Sequence, residues 1–431
     1  MNGRKKVKFS LVKIIFVLLI IALLILIPIT YKHYLAKKQA EQNQLNQEAQ
    51  LNNNLYVKLL SQKHPSENFV FSPLSIRYAL AMLKDGSAGT TKTQLESAIG
   101  TASLPNYNNL DSVLSVANSI FIRNNYQDKI KESYKNTLAN KYNAEIKYDS
   151  FENASNINSW IENKTFGMIK NMVPDSTAQN PNTKMLLVNA LAINMSWKNN
   201  FSNNTKPQNF NYSDGTTSKV STMTEQTSSD DVSYYKNDSI TSFSKDLQEY
   251  NNTKLQFIAI MPNSDLENYT KKITVNDINT IVSNSTPASK ASNGVEISIP
   301  KFSMDCDYKG LNEDLLALGI INAFSQSADF SEISDSDITL NDVIHTSKIV
   351  FEESGIKAAA STVIGLKSTA PSPTNNNNAE QIKIDKPFLF LIRDKDSGEI
   401  WFTGTVYKPE EWKTVEWRAK TINNQFNLGL D

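Results

Sequence analysis

The order of the predicted elements indicates an α+β fold. Helical patterns come first, buried strands follow one another later, and strands and helices do not alternate regularly. An apolar share of 40% and a charged share of 20% in 431 residues are typical of a globular protein with a large core. No Pro- or Gly-rich break or repeat offers a domain boundary within residues 54–409. These observations predict one α+β domain over that range.

The N-terminal segment has the composition of a membrane signal. Basic residues at positions 4–8 precede an apolar run from Ile14 to Ile27, and no cleavage site with small residues follows. The protein is then expected in the cell membrane, as a single-pass protein with its domain outside the cell; secretion is the alternative. The predicted flanking segments are a signal-anchor at residues 1–30, a polar spacer at residues 31–53 and a C-terminal tail at residues 410–431.

Charge and cysteine usage exclude several classes of partner. The 44 basic and 44 acidic residues cancel, so a nucleic-acid partner is not expected. The one cysteine, Cys306, allows no intramolecular disulfide. Acidic neighbours raise the pKa of a thiol, which favours a structural role for Cys306 over a nucleophilic one. The Asn- and Lys-rich composition indicates a bacterial source, and we expect a monomer.

The domain begins with a short strand at Asn68–Ser72 and a helix that opens at Pro73. Ser72 suits an N-cap, because its side chain can accept a hydrogen bond from the first turn, and proline fits the first helical position. A second helix is predicted over Leu311–Leu318, ending at Gly319. Apolar runs and alternating patterns predict the later strands at Leu186–Met195, Leu255–Pro262, Val295–Lys301, Ile349–Glu353, Phe388–Ile392 and Ile400–Val406.

Residues 353–362 (ESGIKAAAST) form the most informative segment of the chain. Strands are ordinarily rich in β-branched and aromatic residues and poor in alanine. A strand with so little side-chain bulk suggests a backbone that must enter a narrow space. A helical segment is the alternative, because alanine is the best helix former. Residues 367–384, rich in Ser, Pro and Asn, are predicted to form an exposed loop.

Motifs of enzymes are absent from the sequence. No HExxH, no Gly-rich phosphate loop, no paired-cysteine motif and no Gly-x-Ser-x-Gly elbow occurs. Of the three histidines, His33 and His64 lie in contexts without catalytic neighbours. His345 fits a buried histidine held by hydrogen bonds. We therefore predict that the protein is not an enzyme, and we predict no cofactor and no metal.

Seven sequence blocks, in order, are similar to those of one family. From about Leu55 to Pro409 the chain resembles the serpins. The blocks are Asn68–Ile76 (NFVFSPLSI), residues 86–91 (GSAGTT), residues 187–201 with Trp197 and Phe201, residues 299–302 (IPKF), residues 318–324, residues 385–388 (DKPF) and residues 402–406 (FTGTV).

The resemblance implies a fold and a mechanism. The fold is α+β, with three β-sheets, about nine helices and an exposed reactive-centre loop at about residues 354–383. The implied function is irreversible, suicide-substrate inhibition of extracellular serine proteases. The target protease cleaves the loop through an acyl-enzyme, and the cleaved loop inserts into the central sheet and traps the protease. Two alternatives remain open: a non-inhibitory serpin that acts as a binding module, and an inhibitor of cysteine proteases.

The resemblance also assigns residues to three regions: the hinge, the shutter and the breach. The hinge starts the loop, the shutter lies under the central sheet, and the breach lies at the top of the opening. Ile356 departs from the usual Thr, Ser or Val at the first inserting position, and Lys357 replaces an acidic residue. The assigned residues are, for the hinge, Glu353, Gly355, Ile356, Ala358, Ala359, Ala360, Ser361 and Thr362; for the shutter, Ser72, Ser75, Asn189 and His345; and for the breach, Trp197, Lys301 and Glu353.

Family spacing from Glu353 places the reactive bond at Thr369-Ala370. This bond suits a subtilisin-like or elastase-like protease. Cleavage at Lys367-Ser368, by a trypsin-like protease, is the alternative. The predicted partners are therefore a serine protease and, through the N-terminal segment, a membrane.

Overall fold

The computed structural model describes residues 55–60 and 66–412, except residues 101–103, 106, 203–204, 337, 339, 341–342 and 358–377. The predicted signal-anchor and spacer lie outside the described residues, as does the predicted tail beyond residue 412.

The predicted location as a single-pass membrane protein is wrong by this structure. Among the described residues, no helix has both the length and the apolar character needed to cross a membrane. A spanning helix takes about 20 apolar residues, and the run from Ile14 to Ile27, which carried the prediction, is shorter than that.

The largest sheet has seven strands in the order β1-β17-β16-β9-β8-β7-β10. Its pairs are antiparallel, and β1 near the start of the domain pairs with β17 near its end. The central strands are almost wholly buried, which agrees with their continuous apolar sequences. The bounds are β1 Phe69–Phe71, β7 Val232–Lys236, β8 Ile240–Asp246, β9 Leu255–Pro262, β10 Thr286–Pro287, β16 Phe388–Asp394 and β17 Ile400–Val406.

A smaller sheet has four strands in the order β15-β11-β6-β5. The edge strand β15 is parallel to β11, whereas the other two pairs are antiparallel. The bounds are β5 Lys206–Asn211, β6 Thr217–Thr227, β11 Val295–Pro300 and β15 Glu380–Lys383.

The central sheet has six strands in the order β12-β13-β14-β4-β2-β3. The strand β14 is only three residues long and lies between two much longer neighbours. The bounds are β2 Leu114–Arg123, β3 Glu145–Asp149, β4 Met185–Ser196, β12 Phe302–Asp307, β13 Thr346–Glu352 and β14 Gly355–Lys357.

Helices cover the sheets. The first, α1, is helical over the described residues 55–60, and α2 packs against both β4 and β17. Three short 3-10 helices also occur in the described part, at Asn124–Lys129, Ala288–Lys290 and Asn322–Phe324. The remaining helices are α2 Pro73–Asp85, α3 Gly89–Ile99, α4 Glu132–Tyr142, α5 Ser155–Lys164, α6 Asp175–Gln179, α7 Leu266–Thr270, α8 Val275–Ser283 and α9 Leu311–Ala317.

The predicted architecture of three sheets and about nine helices is confirmed. The helix after Ser72 begins as predicted: the Ser75 N–H donates to Ser72 Oγ at 3.1 Å, and Pro73 takes the first position. Every strand predicted from an apolar run is present, with ends that differ by up to three residues.

The central sheet has a gap between β4 and β13. On one side β4 pairs with β2 from Met185 to Ile193, but on the other side it pairs with β14 only from Asn194 to Ser196. Among the described residues, no strand lies between β4 and β13 below β14. Along this unpaired edge, Met185–Leu187 are half-buried and residues 188–193 are buried.

Candidate functional site

The first residues of the predicted hinge are already part of the central sheet. In β14, Ile356 lies opposite Met195 of β4 and Phe351 of β13, so both edges of this strand are paired. The Ile356 side chain is fully buried. This β-branched side chain, which departs from the usual residues at the first inserting position, is therefore accommodated at the top of the sheet, because a well-packed apolar side chain stabilises a buried strand.

Gly355 lies where a side chain has no room. A Cβ at this position would be 2.2 Å from the carbonyl oxygen of Met195 and 2.8 Å from the Cα of Ser196. Both are backbone atoms, which cannot move without shifting β4. Glycine is thus required for β14 to approach β4 this closely.

The three residues assigned to the breach meet at the end of β14. Lys301 Nζ lies 2.9 Å from Glu353 Oε2, and the other carboxylate oxygen accepts a hydrogen bond from the Thr205 hydroxyl. Trp197 is buried, and its indole N–H donates to the carbonyl of Glu352 at 2.9 Å. These contacts surround the turn at residues 352–354, which connects β13 to β14.

The charge of Glu353 is maintained in this partly buried position. Burial alone would raise the pKa of the Glu353 carboxyl, but hydrogen bonds from Thr205 and Lys301 hold it below its usual value. Both side chains of the ion pair are 22% exposed, so solvent limits its contribution to stability to about 1 kcal/mol or less. The pair is suited to holding the turn in place rather than to stabilising the fold.

The residues assigned to the shutter meet about halfway down the sheet. The backbone N–H of Ser72 donates to His345 Nε2 at 2.9 Å, and the Ser72 hydroxyl donates to the carbonyl of Trp401 at 2.6 Å. The start of α2 is thereby tied both to the residue before β13 and to β17 of the seven-stranded sheet.

His345 is a neutral imidazole in this site. Its ring nitrogen Nε2 accepts from the Ser72 N–H and lies 3.0 Å from the Ser347 hydroxyl, so the ring proton resides on Nδ1. Burial lowers the pKa of His345 to about 3. A neutral ring is required here, because the protonated form would have no acceptor to offer to the Ser72 N–H.

Asn189 presents an acceptor with no partner among the described residues. Its amide nitrogen donates to Asn118 Oδ1 at 2.8 Å, and the amide of Asn118 in turn donates to the carbonyl of Tyr142. This chain fixes the orientation of both amides and leaves Asn189 Oδ1 buried without a donor. A buried oxygen of this kind is costly unless a donor reaches it in some state of the protein.

Asn189 also lines a cavity of about 100 Å³. It lies between α2, the first half of β4 and residues 343–345 before β13, and it continues the gap in the sheet. Ser75, Asn189 and His345 supply polar atoms in a mostly apolar lining. Three of the four residues assigned to the shutter, Ser75, Asn189 and His345, thus line the same cavity.

Two contributing residues were not predicted from the sequence. Asn118, the partner of Asn189, is a polar residue within the apolar strand β2, and that interruption was the available indication. Thr205 stands in a polar segment that gave no indication of its contact with Glu353. Predicted residues that lie outside the described residues are Ala358, Ala359, Ala360, Ser361, Thr362, Lys367, Ser368, Thr369 and Ala370.

Comparison with known proteins agrees with the geometry. The family model described as "Serpin (serine protease inhibitor)" matches residues 46–409. A serpin-like protein of Methanosarcina mazei is 28% identical over 368 residues, with 80% of this chain and 82% of the relative covered. Neuroserpin of Gallus gallus is 27% identical, with 85% and 92% covered.

Among solved structures, the thermophilic serpin tengpin in its native state superposes with a TM-score of 0.69 at 26% identity. That match covers 84% of this chain and 94% of tengpin. The relatives include archaeal and vertebrate proteins, so the bacterial source stays a prediction. With a family match over residues 46–409 and the three-sheet fold in place, the chain belongs to the serpin family.

Proposed function

We propose that this protein inhibits serine proteases irreversibly, by inserting its cleaved reactive-centre loop between β4 and β13. The observation that carries the proposal is the gap between these strands, which β14 fills only at its upper end. Membership of the serpin family supports a protease-inhibiting function in general. We further propose a serine protease as the target.

The register of β14 supports insertion down to the shutter. Gly355 pairs with Ser196 on one side, and Lys357 pairs with Val350 on the other. If the strand continued antiparallel in the same register, Thr362 would lie opposite Asn189 on β4 and opposite His345 beside β13. The Thr362 hydroxyl would then come close to the unpartnered Asn189 Oδ1, and a new hydrogen bond would remove the cost of leaving that oxygen unsatisfied.

Side-chain alternation supports the same register. Successive residues of a strand point to opposite faces, so residues 358, 360 and 362 would share the buried face of Ile356. This face receives Ala358, Ala360 and Thr362, all of which are small. Residues with more bulk would not fit into a packed sheet interface without displacing their neighbours.

The proposed reactive bond is Thr369-Ala370, with Lys367-Ser368 as the alternative. The first bond would suit a subtilisin- or elastase-like protease and the second a trypsin-like protease. Mixing the protein with subtilisin, elastase and trypsin tests this choice. The expected result is a covalent band, stable in SDS, at the summed mass with one of them, and mass spectrometry of the released peptide identifies the cleaved bond.

A pair of neighbouring substitutions tests insertion itself. Ala360→Arg would place a charged, bulky side chain on the buried face, so we expect the variant to be cleaved as a substrate and to form little covalent complex. Ala359→Arg is the matched control, since its side chain would point to the opposite face. Equal amounts of complex from both variants would contradict insertion in the proposed register.

A cysteine protease could be held by the same trap, through a thioester in place of the ester. Mixing with papain-like enzymes under reducing conditions separates this candidate, because a covalent band would appear with those enzymes alone.

A second candidate function is a non-inhibitory binding module. The observation that favours it is the burial of Ile356 in the sheet before any cleavage. In that case no covalent band forms with any of these proteases, and cleavage of the loop leaves the melting temperature unchanged.

A further inference from the structure

A buried cluster of charges lies behind the breach, between the four-stranded and the seven-stranded sheets. The side chain of Lys245 on β8 is fully buried, and its Nζ lies 2.7 Å from Glu225 Oε2 and 3.3 Å from Asp231 Oδ2. Burial raises the pKa of Glu225, and Lys245 opposes this rise. For Asp231, burial is outweighed by Lys245 and by hydrogen-bonding neighbours, so its pKa stays below the usual value. Because burying a charged side chain is costly, the full burial of Lys245 needs a structural or functional explanation.

The ammonium group of Lys245 also contacts the aromatic residues that follow β4. Nζ lies 5.1 Å from the centroid of the Phe201 ring and 6.0 Å from that of Trp197. These two rings meet edge to face at 5.6 Å, and Trp197 packs in the same manner against Phe351 of β13 at 5.3 Å. A cation held against aromatic faces away from water fixes their positions more firmly than apolar packing alone.

The same two aromatic residues hold the turn from which the inserted strand would grow. The Trp197 N–H donates to the carbonyl of Ser354 at 3.2 Å, and the Phe201 N–H donates to that of Glu353 at 3.1 Å. Together with the bond from the Trp197 indole to Glu352, they contact each residue of the turn at 352–354. Lys245 does not touch the turn; it acts on it through Trp197 and Phe201.

We propose that Lys245, held by Glu225 and Asp231, is a positioning residue for loop insertion. It keeps Trp197 and Phe201 in the place where they anchor the turn at 352–354, so that the strand β14 can extend without delay after cleavage. Insertion competes with hydrolysis of the acyl-enzyme. Loosening the anchor slows insertion and directs more molecules to the substrate pathway. This inference depends on the proposed function, because it concerns the efficiency of the same trap.

The test measures how many inhibitor molecules are consumed per protease inactivated, together with the melting temperature. Lys245→Met keeps the unbranched chain up to the position of Cε and removes the ammonium group. The number consumed, minus one, equals the ratio of the rate of hydrolysis to the rate of insertion. We expect this ratio to rise about tenfold, which corresponds to a change of about 1.4 kcal/mol in the difference between the two barriers. The melting temperature also falls, because two carboxylates are left buried without a cation.

A second variant separates positioning from stability. Combining Lys245→Met with Glu225→Gln and Asp231→Asn removes the buried charges altogether. Breaking a buried ion cluster is costly mainly because it leaves a buried charge without its partner. No such charge remains in the triple variant, so the melting temperature should recover. Consumption should stay high, because no cation is present against Phe201 and Trp197.

Arg77→Met supplies the matched control. Arg77 and Glu399 form an equally buried ion pair, with both side chains 2% exposed, and Arg77 does not line the cavity in the gap. The melting temperature of this variant should fall, as that of Lys245→Met does. The number of its molecules consumed per protease should stay at the level of the unaltered protein.

The outcomes distinguish the two proposals. If the unaltered protein forms no covalent complex with any protease, the proposed function fails. Suppose that the unaltered protein forms the complex. If no more molecules of Lys245→Met than of Arg77→Met are then consumed per protease inactivated, the positioning role of Lys245 is overturned. Recovery of low consumption in the triple variant would also overturn it, since the ammonium group would then be unnecessary.

Discussion

His345 carries an ionisable ring in a place that leaves no room for a charge. Its pKa is lowered by burial from 6.5 to about 3, and its Nε2 must stay an acceptor for the Ser72 N–H. The folded protein therefore binds this proton less readily than the unfolded chain does. The stabilising effect is complete above about pH 6.5 and is lost as the pH falls from there towards about 3.

We predict that His345 contributes a measurable share of the acid sensitivity of the fold. Below about pH 6 the unaltered protein should lose about 1.4 kcal/mol more of its free energy of unfolding per pH unit than His345→Gln, which offers an acceptor but does not titrate. Urea unfolding at several pH values provides the measurement. Parallel pH dependences for the two proteins would contradict the prediction.

At the residue scale, the sequence was informative where a polar residue stands in an apolar surrounding. The resemblance to serpins singled out Ser72, Asn189 and His345. In the structure, Ser72 is hydrogen-bonded to His345, and His345 and Asn189 line the same cavity. The role of Lys245 was not predicted, because in an alternating strand a lysine is ordinarily a solvent-facing residue. Its burial depends on acids from elsewhere in the chain, which periodicity cannot bring together.

The strand β14 is the element that separates this structure from the sequence-based expectation. The sequence predicted a segment that enters the sheet after cleavage, and the structure shows its first three residues paired on both edges without cleavage. Neither local propensity nor composition determines how far such a segment is inserted, because the balance depends on side chains of β4 and β13 that it contacts.

Gly355 provides a test of this pairing. In Gly355→Ala the new Cβ would lie 2.2 Å from the Met195 carbonyl oxygen, so we expect β14 to leave the sheet. Its few backbone hydrogen bonds are worth about 1 kcal/mol each, and stability should fall by a few kcal/mol at most. Hydrogen exchange at residues 355–357 should become rapid. Ser354→Ala, at an exposed neighbour, is the control, and unchanged protection in Gly355→Ala would refute the assignment.

Other elements were predictable to different degrees. Buried strands such as β9 and β16 were found from their continuous apolar sequences, because burial on both faces leaves few polar positions. The strand β5 was not found, because four of its six residues are exposed, and these are a proline and three polar residues. That the strands form three sheets came from the family resemblance. Their order within each sheet was not predicted, since sequence patterns alone do not specify which strands pair.

For the whole molecule, the gap between β4 and β13 means that the described residues do not make all the pairing that the central sheet allows. Five further residues after Lys357 would reach the shutter, and a strand paired on both edges adds about one hydrogen bond per residue on each side. At about 0.5–1 kcal/mol for each of these bonds, roughly 5–10 kcal/mol becomes available when the loop is free to enter.

We therefore predict that cleavage within the loop raises the melting temperature of the protein, by about 10 °C or more. Limited proteolysis followed by scanning calorimetry provides the measurement. The variant Ala360→Arg, cleaved at the same bond, should show a much smaller rise, because its insertion stops near the new charge. A cleaved protein that melts at the temperature of the intact one would contradict loop insertion altogether.

The pairing of β1 with β17 bears on how the chain folds during its synthesis. Phe69 lies opposite Thr405 and Phe71 opposite Thr403, so two segments from opposite ends of the domain must meet. A ribosome delivers β17 last, and β1 must wait without its neighbour until translation is nearly finished. Closure of that sheet is consequently a late, post-translational event, and nascent chains that stop before Ile400 cannot complete it.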